Sequence, residues 1–66
     1  MQDTEIQELF ARLTAQFEDC AALAAEGQRV GLSPARAAGL LREIRVILEG
    51  AEQSLALVEQ YRDGWH

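Results

Sequence analysis

Apolar residues recur at steps of three and four through Ile6, Leu9, Phe10, Leu13, Phe17, Cys20, Leu23, Ala24 and Gly27. They do so again through Ala37, Leu40, Leu41, Ile44, Ile47, Leu48, Ala51, Leu55, Val58 and Tyr61, with Gly31-Leu32-Ser33-Pro34 in the short stretch between the two runs. That spacing places side chains on one stripe of an α-helix and on alternating faces of a strand, so it selects helix. The chain contains no Asn and one Pro, and its five Gly are placed singly, which leaves it poor in hairpin-turn residues. An all-α fold is expected.

The punctuation predicts where the helices begin and end. Thr4 with Gln7 matches a capping box, with Asp3 as the alternative cap. Glu5 and Glu8 suit the positive end of the helix dipole, and Glu8 with Arg12 forms an i, i+4 pair in the favourable order. Gly31 is suited to a left-handed residue after the first helix. Ser33 is a good N-cap for the second, with Pro34 at the first helical position. The expected architecture is a single domain over 1–66: a helix over about 4–30, a turn at 31–33 and a helix over about 34–62, folded back as an antiparallel αα-hairpin. The tail from Asp63 to His66 is expected to fray.

In a heptad frame the expected seam brings Phe10, Phe17 and Ala24, with Ile6, Leu13, Cys20 and Gly27, against Leu41, Leu48 and Leu55, with Ala37, Ile44, Ala51 and Val58. Arg62 falls in line with the leucine row, and Trp65 is expected to close the open end over Ile6 and Phe10. Helix 2 then has apolar residues to spare: Leu40, Val46, Ile47, Leu57 and Tyr61 widen its apolar arc beyond one stripe, and Gly39 and Gly50 lie on the same flank as Val46 and Leu57.

A chain of 66 residues buries only about 60% of its unfolded surface, and small proteins usually add a disulfide, a metal or a partner chain. The single Cys20 forms no internal disulfide, and one His at position 66 does not build a Cys/His zinc site. The remaining remedy is a partner. The candidate partner-binding residues are Val46, Ile47, Leu48, Gly50, Leu55, Leu57 and Tyr61. They suit either a groove on a larger helical protein or a second copy completing a four-helix bundle.

Chemistry is sparse. Cys20 lies on the apolar stripe far from His66, which leaves it without a base, and it reads as a packed thiol. Glu-x-x-His pairs and Gly-rich phosphate loops are lacking, so no enzyme, metal site or cofactor is expected. Arg29, Arg36, Arg42 and Arg45 gather near the turn, but Glu26 and Glu43 interrupt them and the net charge of −5 opposes non-specific nucleic-acid binding. An acidic N-terminus and the lack of a long apolar run argue against a signal peptide, a membrane span or membrane binding, and the unpaired Cys20 agrees with a reducing compartment. The expectation is cytoplasmic.

The second helix reads Ile47-Leu48-Glu49-Gly50-Ala51-Glu52-Gln53-Ser54-Leu55-Ala56-Leu57 in its middle. With the chain length, the Gly-containing turn and Pro34, this resembles the small E-type co-chaperones of bacterial type III secretion needle subunits. The resemblance implies a noncatalytic helical hairpin that stabilises a tetratricopeptide-like chaperone and, with it, keeps a needle subunit unpolymerised in the cytoplasm. The alternative is a homodimeric four-helix-bundle adaptor or regulator, with the Arg-bearing turn end as its candidate contact to nucleic acid.

Overall fold

The computed structural model describes residues 2–63, and the side chains of residues 4–61 among them. Two helices, α1 (Gln2–Glu26) and α2 (Pro34–Asp63), run antiparallel and pack along their length. The hairpin is a rod, with Cα extents of 53 × 14 × 13 Å and a radius of gyration of 15.4 Å. A compact chain of this length would have a radius of gyration of about 11 Å. Two helices side by side form a seam but do not enclose a core.

The restart at Ser33 is as expected. The Arg36 amide donates to Ser33 Oγ at 3.1 Å and the Ala37 amide to the Ser33 carbonyl at 2.9 Å, which is the N-cap arrangement with Pro34 as the first helical residue. Gly31 has φ of 80°, the left-handed conformation that glycine adopts without a Cβ penalty.

The helix ends differ from expectation in two places. α1 starts at Gln2, so Thr4 sits inside the helix and does not cap it; an N-cap residue needs non-helical dihedrals, and Thr4 has helical ones. At the other end α1 stops at Glu26, three to four residues early, and residues 27–33 make the connection. Gly27 still donates to Leu23 at 3.1 Å, but Gln28 and Arg29 donate three residues back, to Ala25 and Glu26, which tightens the last turn and ends the α-helical ladder. The Arg36 guanidinium then reaches across the connection to Glu26, 2.7 Å from Nη2 to Oε1, and ties the start of α2 to the end of α1.

The seam is also rotated from the expected one. Ile6, Leu9 and Leu13 of α1 and Leu40, Ala51 and Ser54 of α2 are buried, with Cys20, Leu23, Ile44, Ile47 and Val58 half-buried beside them. Phe10, Phe17, Leu41, Leu48 and Leu55, expected in the seam, are exposed. Size explains the rotation. Gln16 of α1 crosses to the small Ser54 and Gly50 of α2, and Leu40 lies near Gly27 where the connection begins. Facing the phenylalanine row with the leucine row would put bulky side chains against each other and force the axes apart.

Ser54 is the most buried polar residue, at 2% exposure. Its hydroxyl lies 3.2 Å from the Gly50 carbonyl and 3.3 Å from Gln16 Oε1, so its one proton is shared between an acceptor on its own helix and one across the seam. A Cβ on Gly50 would stand 3.0 Å from Gln16 Nε2. Gly50 thus makes room for a side chain of the same hairpin.

Neighbouring substitutions at the start of α2 should act in opposite directions. Gly39 has open space where a Cβ would be, so Gly39→Ala should stabilise the helix by about 0.5–1 kcal/mol. Leu40 is 3% exposed, and Leu40→Ala should cost about 2–5 kcal/mol. Thermal melts followed by far-ultraviolet circular dichroism, at one protein concentration, check both signs.

Candidate interaction surface

At about 100° per residue, Phe10, Phe17 and Ala24 lie roughly a quarter turn from the seam of α1, and Leu41, Leu48 and Leu55 lie a quarter turn from the seam of α2. Because the helices are antiparallel, both quarter turns lead to the same side of the hairpin. The two rows form one apolar face, with Phe10 and Phe17 each 52% exposed and Leu41, Leu48 and Leu55 between 44% and 65%. The five side chains offer on the order of 500 Å² of exposed surface, in the upper range for a monomer and of the kind that marks interaction sites.

This face is nearly free of charge. Along α1 it is edged by Thr14, Ala21 and Gln28, and Thr14 turns its hydroxyl inward to the Phe10 carbonyl at 3.1 Å. That bond satisfies the hydroxyl within the helix and leaves its methyl beside the phenylalanines. Along α2 the edge carries Arg45, Glu52 and Glu59.

The opposite side is smaller and more polar. Val46 and Leu57 are exposed there, on the flank opposite Leu48. Val46 borders a shallow apolar dent with Leu23, Ile47, Arg42 and Glu43, and Leu57 a more polar one with Glu5, Glu8, Leu9, Arg12 and Tyr61. The seven candidate residues therefore fall into three groups. Leu48 and Leu55 belong to the phenylalanine face, Val46 and Leu57 to the opposite flank, and Ile47, Gly50 and Tyr61 are half-buried at the edge of the seam. Phe10, Phe17 and Leu41 belong to the exposed surface as well. Sequence reasoning had assigned them to the seam, and the signal that would have moved them out is the size match of Leu40 to Gly27 and of Gln16 to Gly50 and Ser54.

The Arg cluster at the turn is not uniform: Arg36 is held by Glu26, whose hydrogen bond and charge raise the guanidinium further above its ordinary value. Cys20 is free and half-buried in the seam. Among the described residues no group of three His, Cys, Asp or Glu is placed to hold a metal ion, and no helix is long and apolar enough to cross a membrane. The expected roles of Arg62, Trp65 and His66 fall on side chains outside the described residues. Comparison with family models, curated proteins and solved structures returns no significant match.

Tyr61 and Glu5 border the same dent at the open end of the hairpin, and the pull of the Glu5 carboxylate on the phenol proton, followed by burial and the Glu5 charge, raises the Tyr61 pKa. All three causes favour the neutral phenol in the folded chain. The stability it contributes is complete below the phenol's ordinary value of about 10 and is lost as pH rises through the raised one. As the sole tyrosine, Tyr61 can be titrated by its own ultraviolet absorbance. The midpoint should lie above that of free tyrosine and fall back towards it in Glu5→Ala.

Proposed function

We propose that this chain is a noncatalytic protein-binding co-chaperone, a helical hairpin that stabilises a larger helical protein by covering apolar surface on it and on itself. The single observation that carries this reading is the exposed apolar face of Phe10, Phe17, Leu41, Leu48 and Leu55. Burying such a face against a partner removes apolar area from water, at about 25 cal/mol per Å², and stabilises both chains by mass action.

The partner class follows from the shape of α2. It is exposed on both flanks, through Leu48 and Leu55 on one and Val46 and Leu57 on the other, with Arg45 and Glu49 pointing outward between them. A concave groove of stacked helices can enclose a helix presented in this way. This agrees with the resemblance of the Ile47–Leu57 stretch to the E-type co-chaperones. On that reading the groove belongs to a tetratricopeptide-like chaperone, the joint client is a secretion needle subunit, and the complex works in the bacterial cytoplasm.

The test is a pulldown from the native organism read by mass spectrometry. Recovery of a helical-repeat chaperone together with a needle-type subunit is the expected result; recovery of nucleic acid, or of neither protein, would sink the proposal. Leu48→Asp and Val46→Asp, on opposite flanks of α2, should each weaken capture of that chaperone at least tenfold, while leaving the helical circular dichroism of the hairpin in place. A groove that touches one flank only would respond to one of the two.

A further inference from the structure

We infer that the phenylalanine face also pairs with a second copy of this chain, turn end to open end, in an antiparallel four-helix bundle. The inference stands on the geometry of the face and not on the co-chaperone reading. It describes the state of the chain before any other partner arrives, and a groove that encloses α2 would displace the second copy from Leu48 and Leu55.

Three features select a second copy in this orientation. The first is the spacing of the two rows. Phe10, Phe17 and Ala24 are centred on Phe17, and Leu41, Leu48 and Leu55 on Leu48. The cross-seam contacts of Gln16 with Gly50 and Ser54, and of Gly27 with Leu40, set the register and put Phe17 and Leu48 within about one helical turn of the same height. A two-fold axis crossing the face at that height maps α1 onto α1 of the second copy and α2 onto α2, both antiparallel. Phe17 meets Phe17, Leu48 meets Leu48 and Leu41 meets Leu55.

The second is size. Phe10 stands in the open half of the face and Phe17 at its centre, whereas the turn half of α1 presents Ala21 and Ala24. Reversing the second copy puts Phe10 over Ala24. Placing both turns at one end would instead bring each α1 over α2 of the other copy, with the phenylalanines concentrated at the open end.

The third is charge. The same two-fold sets Arg45, on the edge of α2, beside Glu52 of the second copy, and does so twice. With both turns at one end, Arg45 would face the uncharged edge of Ala21 and Gln28 on α1. The area is also sufficient: the two apolar rows form the centre of a side of the rod that measures 53 × 14 Å at the Cα level, and that whole side approaches the ~800 Å² per partner of a standard interface.

The experiment uses the full chain. Sedimentation at micromolar concentration should give a dimer, and Leu48→Glu should give a monomer of unchanged helicity. Arg45→Glu should raise the dimer dissociation constant several-fold, and Arg45→Glu combined with Glu52→Arg should restore it. In a Cys20→Ser background, a spin label at Val30→Cys, fully exposed in the turn, reports the orientation. Turns at opposite ends give a label separation of about 40 Å, from the ~1.5 Å rise per residue, and turns at the same end a much shorter one. A monomer at these concentrations, a short separation, or a charge swap that fails to restore pairing would overturn the inference. A monomer that still captures the helical-repeat chaperone would remove the pairing alone, and a dimer that ignores that chaperone would remove only the co-chaperone reading.

Discussion

The close approach of two helices through small residues is the constraint on which the rest of this hairpin depends. Gly27 opposite Leu40, and Gln16 lying over Gly50 against Ser54, let the two backbones share one narrow seam. A two-helix rod has no enclosed interior, so the contacts in this seam, with the Arg36–Glu26 tie at the turn, are what hold α2 against α1. With Ile6, Leu9, Leu13 and Leu40 packed there, both phenylalanines and the Leu41, Leu48 and Leu55 row are left outside. The apolar face is thus a consequence of how the seam closes.

The same constraint explains the polar residues at the seam. Ser54 and Gln16 supply little apolar area, yet they satisfy each other and the Gly50 carbonyl, so burying them leaves no hydroxyl or amide without a partner. They also fix the register. A seam of interchangeable leucines would slide by a heptad at little cost, whereas a serine that must meet a glutamine beside a glycine has one suitable height. That register carries outward to the exposed rows and brings the centres of the phenylalanine and leucine rows within about one helical turn of each other.

The proposed function rests on what lies outside the seam. The described side chains hold no group of three His, Cys, Asp or Glu placed for a metal ion. What they present is a long, nearly uncharged face of phenylalanine and leucine, with a smaller aliphatic flank of Val46 and Leu57 behind it. Such surfaces act by being covered. On the co-chaperone and pairing proposals, a concave helical partner and a second copy of the chain would compete for Leu48 and Leu55, which would couple self-association to partner capture by mass action.

Much of this was legible in the residues. The three-and-four spacing determined two helices, Ser33-Pro34 determined where the second begins, and a hairpin of this size leaves apolar side chains exposed. Those are local properties, set by backbone geometry and composition. Which stripe faces inward was not legible from hydrophobicity, because Leu40 and Leu41, or Leu9 and Phe10, are equally apolar neighbours on the wheel. Only the tertiary structure decided between them. The choice depends on side-chain volumes across the seam, where Leu40 fits against Gly27 and Gln16 over Gly50 beside Ser54, and that complementarity exists only once two helices are set side by side.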